Sequence, residues 1–316
     1  MVARGGAVPH FVQRGWLTAS ELARRARRGV PKALTVESVS AATPALAGVA
    51  SRPQPVSRKF PPWMLALPLP VVLIAAWQVA TGGKAYSLIP PPSTVVLTAW
   101  DYAFGGIRND PYSATFAVNA LASITRVFAG FFAAMIVAIP LGLILGRSKP
   151  ARSLIDPTLQ FLRPIPVTAW LPLTMILFGL GPPATIALIA LGTFFPMLLN
   201  TVDGVRLVEP RLIEAAEMLG TPRAAIFGRV ILPAASPSIF TGIRIGLGLA
   251  WVLLVVGEMT GVPTGLGANI MDARQLSRTD LVIAGMIYIG ILGFLSDRVV
   301  LLLGRRALWW NPSARG

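Results

Sequence analysis

Between positions 63 and 303 the sequence is a succession of apolar runs separated by short polar gaps, and that pattern leaves few folds open. The hydrocarbon core of a bilayer is about 30 Å thick, so a helix needs about 20 residues to cross it. Six segments approach that length: 63–80, 119–145, 164–180, 184–202, 239–260 and 281–303. With no water in the bilayer core, each backbone N–H and C=O must find its partner within the structure, which a helix achieves by itself. The pattern predicts an all-α polytopic membrane protein with about six transmembrane helices. The first, third and fourth segments are short or interrupted by Pro68, Pro70, Pro166, Pro172 and Pro196, so five or seven crossings also fit. Such prolines are tolerated where neighbouring helices and hydroxyls such as Thr168, Thr174 and Thr193 can satisfy the freed carbonyls.

Composition agrees. Hydrophobic residues make up 54% of the 316 and charged residues only 13%, roughly half the ~25% of a soluble domain. There is no Cys, and the one His is His10. Disulfide scaffolds, thiolate catalysis and Cys/His metal sites are thereby excluded, and no metal ligands are expected. A Ser-His-Asp site would rest entirely on His10.

The charge is unevenly placed. Residues 1–60 hold ten Lys/Arg against Glu21 and Glu37 and end in a Pro-rich run. They read as a disordered basic tail, with one short helix near 18–28, ahead of a membrane domain over 61–310 and a C-terminal tail at 311–316. No apolar stretch follows the charges as in a secretory signal, although an organellar transit peptide has a similar composition. Basic residues before a span act as a topology anchor on anionic lipid, and no nucleic-acid partner is expected. If the tail is cytoplasmic, about 21 Lys/Arg fall in inside segments and about five outside: Lys84, Arg108, Arg126, Arg274 and Arg278. That asymmetry places both termini in the cytoplasm. Between the first two spans, 94–104 carries Val95, Val96, Ala99 and Tyr102 at near-helical spacing, a short helix at the outer interface.

One segment is too polar to span. In the loop 203–238, the stretch Pro210–Pro233 reads PRLIEAAEMLGTPRAAIFGRVILP. Glu214, Ala215, Ala216 and Leu219 share a helix that Gly220 ends, because glycine readily takes the left-handed C-terminal conformation. Thr221 then caps a second helix with Pro222 at its first position. Ile226, Phe227, Val230 and Ile231 give this second helix an apolar face. About thirty residues is long for a plain connector, and ordered loops of that length are usually functional.

This arrangement resembles the signature of permease subunits of binding-protein-dependent ABC importers: Glu-Ala-Ala, three residues, Gly, nine residues, then Ile-x-Leu-Pro. Here it reads Glu214-Ala215-Ala216, Gly220 and Val230-Ile231-Leu232-Pro233, with Val in the place of the first Ile. Further blocks are similar to the nitrate/sulfonate/taurine branch: Ser123-Ile124-Thr125-Arg126, Arg163-Pro164-Ile165-Pro166, Phe178-Gly179-Leu180-Gly181, Gly242-Ile243-Arg244, Gly257-Glu258-Met259 and Gly265-Leu266-Gly267. The resemblance covers about 63–310 and leaves the tail outside. It implies a type I importer permease fold in a bacterial inner membrane and a dimer with a second permease copy. It also implies two ATPase subunits that carry ATP and Mg, and an extracytoplasmic solute-binding protein. Glu214, Ala215, Ala216, Leu219, Gly220, Leu232 and Pro233 would form the coupling element against the ATPase. A small anion such as nitrate, a sulfonate or taurine would be the solute.

The chain has no phosphate loop of its own, since Gly82-Gly83-Lys84 is followed by Ala85. Energy must come from a partner or an ion gradient, and an ion-coupled secondary transporter is the alternative. Intramembrane charges are functional candidates. Arg244, Gly248, Trp251, Val255 and Glu258 share one helix face, with Arg244 and Glu258 about 21 Å apart at ~1.5 Å per residue, too far to pair. Arg244, Trp251 and Glu258 are candidates for a translocation pathway; the alternative places both charges at the interfaces. Arg126, Arg163, Asp203 and Asp297 read as anchors or interhelical partners. Small-xxx-small spacing at Gly242/Gly246, Gly257/Gly261 and Gly261/Gly265 predicts close helix packing, in part within a loop.

Overall fold

A computed structural model describes residues 68–82 and 88–309 of the chain. The basic tail 1–60, its short helix, Lys84 and the tail 311–316 lie outside the described residues.

Among the described residues every regular element is helical. A short apolar helix α1 (Pro68–Thr81) is followed by α2 (Pro92–Phe104) and the long α3 (Phe116–Arg147). Then α4 (Lys149–Leu162) meets a 3₁₀ turn (Val167–Trp170) and α5 (Leu171–Phe178) at a bend of 89°. Helix α6 (Pro182–Arg206) leads to the small α7 (Pro210–Met218). The chain closes with α8 (Arg223–Glu258), α9 (Leu266–Gln275) and α10 (Thr279–Ala307).

Helices α3, α6, α8 and α10 are long and apolar enough to cross a bilayer, and the bent α4–α5 pair makes a fifth if counted as one span. The expected first span is represented by α1, 14 residues long; residues 63–67 of that segment are not described. The bend falls at Arg163-Pro164-Ile165-Pro166, where each proline lacks an N–H and disfavours helix in the residue before it.

Helix α6 is the centre. It runs parallel to α3 and antiparallel to α8, and buries Ile189, Met197, Leu198 and Val202 against Val127, Phe131, Leu145, Leu247 and Leu254. A Cβ on Gly142 would lie 2.6 Å from Thr201 Cβ, and one on Gly146 2.6 Å from Val205 Cβ, so both glycines of α3 admit α6 at backbone distance. On the other side, a Cβ on Gly242 would lie 2.7 Å from Asn200 Cβ and one on Gly257 2.7 Å from Thr185 Cγ2. The expected Gly242/Gly246 packing is therefore present. Gly261 and Gly265 instead have positive φ and belong to the turn between α8 and α9.

Helix α8 replaces the separate second helix expected after Pro222: it runs unbroken for 36 residues into the membrane span. Its continuity is kept by a π-helical segment, Phe227–Ile231, in which Leu232 N–H donates to Phe227 C=O five residues back. Pro233 follows with no N–H, and its ring would clash with the carbonyl four residues back. The wider turn accommodates that fault. Pro222 occupies the N-cap position rather than the first turn, and no side chain caps the helix.

At the opposite end α2 packs on α10, with Thr98 Oγ1 donating to Asp280 Oδ2 at 2.9 Å and the Tyr102 ring edge-on to Tyr288; Val95 and Asp101 are also buried, while Val96 faces outward. The Asp101 carboxylate accepts from Ser113 Oγ at 2.6 Å, Ile107 N–H at 2.8 Å and Arg108 N–H at 3.1 Å, fastening the loop between α2 and α3. The Ser113 hydroxyl holds its carboxyl below the usual carboxylate range against desolvation, and the two N–H groups add to this.

Two outcomes follow from this packing. Gly142→Val should destabilise the α3–α6 contact by about 1–3 kcal/mol, the cost of overpacking, seen as a lower thermal midpoint in detergent. Because the Asp101 pKa is depressed in the folded state, its stabilisation is present above the unfolded value of about 3.9 and is lost as pH falls through the folded value. Acidification should raise hydrogen exchange in the loop 105–115, and Asp101→Asn should remove that acid dependence.

Candidate functional site

Three polar constructions stand out, one at each end of the bundle and one on its flank. The first is the elbow formed by α7 and the start of α8. Helix α7 begins with Pro210 at N1, where a missing N–H costs nothing. It ends in a Schellman turn: Thr221 N–H donates to Ala216 C=O at 3.1 Å and Gly220 N–H to Glu217 C=O at 2.9 Å. Gly220 has φ +72° with nothing within 4 Å of a built Cβ, so glycine serves the backbone turn and leaves an open surface. Ile213 and Ala216 pack toward Val205, Val208, Ile226 and Ile231, tying α7 to the end of α6 and the first turns of α8. The outer face presents Glu214, Ala215, Met218 and Leu219 to the surroundings, with Met218 88% and Leu219 85% exposed. Leu232 and Pro233 lie past the π segment, partly exposed. The seven residues read from the sequence as one element thus lie along one elbow.

At the other end a buried charge pair joins three helices. Arg126 Nη1 of α3 donates to Glu258 Oε1 of α8 at 2.5 Å, with Glu258 1% and Arg126 7% exposed. Ser123 Oγ lies 2.9 Å from both Glu258 oxygens and accepts Leu266 N–H at 2.9 Å. Gly267 N–H donates to Glu258 Oε2 at 2.9 Å, Gly265 N–H to Asn119 Oδ1 at 2.9 Å, and Arg126 reaches the Thr264 carbonyl at 2.5 Å. A carboxylate beneath the first turn of α9 is favoured by its unpaired N–H groups and dipole. Gly265 is obligatory here, since φ is +141° and a Cβ would lie 2.5 Å from the Glu258 carboxylate. The sequence reading of Arg126 as an anchor or interhelical partner does not pair it with Glu258, which lies on a different helix far along the chain.

The third construction separates the pathway candidates. Arg244 Nε and Nη2 donate to the two oxygens of Asp297 on α10 at 2.9 and 3.0 Å, a bidentate pair. Trp251 Nε1 donates to Ser296 Oγ at 2.9 Å. Arg244, Gly248, Trp251 and Val255 line a cavity of about 730 Å³ between α8 and α10. Glu258 does not join them: its side chain turns into the network with Arg126, so the shared face predicted for the five residues ends at Val255.

Taking one partner from the buried pair leaves an unmatched charge, which costs roughly 3–5 kcal/mol. Arg126→Gln and Glu258→Gln should each lower thermal stability strongly, and the double variant should fall well short of the sum. A double-mutant cycle on thermal unfolding checks this.

Residues 138–309 match the family described as binding-protein-dependent transport system inner membrane component. SsuC of Bacillus subtilis (strain 168), which bears the name of an aliphatic sulfonates transport permease protein, is 41% identical over 80% of this chain and 90% of its own. The taurine transport system permease protein TauC of Escherichia coli (strain K12) is 38% identical over 77% of this chain and 88% of its own. The nitrate import permease protein NrtB of a Synechocystis species is 34% identical over 73% and 84%. A solved structure of the MetNI methionine ABC transporter aligns with 63% of this chain at a TM-score of 0.49 and 19% identity. On the family match and these sequence relatives together, the chain belongs to the inner membrane permease components of binding-protein-dependent transport systems.

Proposed function

We propose that this chain is the translocating subunit of an ATP-driven importer, and that α7 is where a separate ATPase subunit delivers mechanical work. The observation that carries this reading is the double character of α7. One face is packed onto the ends of α6 and α8 through Ile213 and Ala216, while the other exposes Glu214, Ala215, Met218 and Leu219. A partner pressing on the exposed face moves two membrane spans at once. Two ATPase copies, a second copy of this permease and an extracytoplasmic solute-binding protein complete the assembly, with ATP and Mg held by the ATPase. The protein spans the bacterial inner membrane several times with both termini in the cytoplasm, supported by the concentration of Lys/Arg in the tail, near Arg147 to Arg163, and around the α7 elbow. The solute is a small anion of the nitrate, sulfonate or taurine type, in keeping with the names of the relatives.

Gly220→Pro removes the N–H that closes the Schellman turn and excludes positive φ; Glu214→Arg inverts the charge on the exposed face. Both variants should insert normally and retain ATPase subunits less well, with uptake reduced by roughly tenfold, the scale of a lost coupling free energy. Uptake into proteoliposomes loaded with or without ATP is the measurement. Undiminished uptake by both variants removes α7 from the coupling role, and uptake that continues without ATP restores an ion-coupled transporter.

A further inference from the structure

Helix α10 carries charge near both ends, Asp280 at one and Arg305 at the other, about 37 Å apart at ~1.5 Å per residue. A hydrocarbon core of about 30 Å fits between them. Asp297 stands about 12 Å short of Arg305 by the same rise, inside that core. The Arg244–Asp297 pair is nevertheless half open, its side chains 44% and 36% exposed. Arg298 is exposed beside it. Its guanidinium lies 4.7 Å from the centre of the Phe294 ring, folded toward the middle of the helix instead of reaching for the Arg305 end. Acyl chains offer such groups no partner, and charges within a membrane face a protein interior or a water-filled space.

The same face is shaped as well as charged. The cavity of about 730 Å³ between α8 and α10 follows α8 from Arg244 to Val256, about 18 Å. On its wall Gly248 and Gly290 have nothing within 4 Å of a built Cβ, whereas Gly242 and Gly257 are already filled by α6. Beside these two notches Val252, Met286 and Phe294 project, each more than half exposed. Notches and projections thus share one surface, so two identical surfaces related by a two-fold axis can interlock.

We infer, resting on the permease reading above, that this face of α8 and α10 is covered by the same face of a second copy of the chain. The other partners in that reading stand at the wrong level. An ATPase presses on α7, beyond the Arg244 end of the cavity, and a solute-binding protein stays outside the bilayer. Residues 1–60 of the chain itself carry ten Lys/Arg, which a hydrocarbon core does not admit. A second α8–α10 face brings apolar side chains to Gly248 and Gly290, where a helix can approach closely. Arg244, Asp297 and Arg298 then face a seam between two copies in place of acyl chains.

The experiment uses the complete complex with its ATPase subunits in nanodiscs, assembled from two permease versions that bear different affinity tags. A benzophenone amino acid at Val252 or Met286 should, on irradiation, join one tagged version to the other. At Ile136, exposed on α3, it should join lipid instead. Gly290→Trp, for which a single copy has room, should lower capture of one version through the other by about tenfold, the scale of an overpacked contact. Gly290→Ala should keep most of the capture, and Ile136→Trp all of it. Adducts to lipid alone at both Val252 and Met286 overturn the inference. So does undiminished capture in the double variant Gly248→Trp, Gly290→Trp, or an equal loss in Ile136→Trp. Native mass spectrometry counts permease copies in the unmodified complex, and its ATP-driven uptake is followed separately. Lipid adducts from a complex that holds two copies sink this face alone, whereas uptake without ATP sinks the permease reading, and a complex with one copy sinks both the pairing and the face.

Discussion

Helix α6 touches α3 and α8 at backbone distance, and the other elements are arranged around that contact. In lipid there is little hydrophobic gain from burying one apolar helix against another, so association depends on van der Waals contact and hydrogen bonds. Gly142, Gly146, Gly242 and Gly257 remove the side chains that would hold the helices apart. Ile189, Met197 and Leu198 then fill the space between them. The outward faces of α3 and α10 keep exposed residues such as Ile136, Phe294, Leu302 and Leu303, as a surface in contact with acyl chains requires.

Within that frame charges are used sparingly, and Arg126, Arg244 and Arg278 are each matched by a carboxylate. Arg126 and Glu258 are expensive to bury singly, but Ser123, Thr264 and Gly267 complete their hydrogen bonding. The result ties α3, α8 and the start of α9 at one end. At the opposite end the connection is of another kind, an apolar seam of Val205, Ile226 and Ile231 under α7. One end is fixed by a dense polar network and the other is held by a small seam beneath an exposed helix. A force applied to α7 is therefore carried into α6 and α8, which are themselves in close contact.

The elbow was largely legible in the sequence. Gly220 at the end of a helical run, with prolines on either side, leaves few conformations for the backbone, and the structure agrees on the helix and its stop. The second arm was read less well. A polar-to-apolar change near Pro233 looks like a boundary, yet a π turn absorbs the proline and the helix continues. Periodicity alone does not register such a turn, because it alters hydrogen-bond spacing without altering composition. The face shared by Arg244, Trp251 and Glu258 was likewise inferred from an ideal helix. A long acidic side chain at the end of α8 turned instead toward Arg126.

What the sequence determined by itself was the solvent, the element type and the uneven placement of charge along the chain. Those follow from hydropathy, charge and local backbone chemistry, each a property of neighbours along the chain. Which helix meets which, which charges pair, and which residues line a cavity were decided only by the tertiary structure. Helical periodicity specifies which residues share a face but not what that face meets. That choice depends on glycines and side-chain shapes far apart in the chain fitting together, as Gly142 does with Thr201 and Glu258 with Arg126.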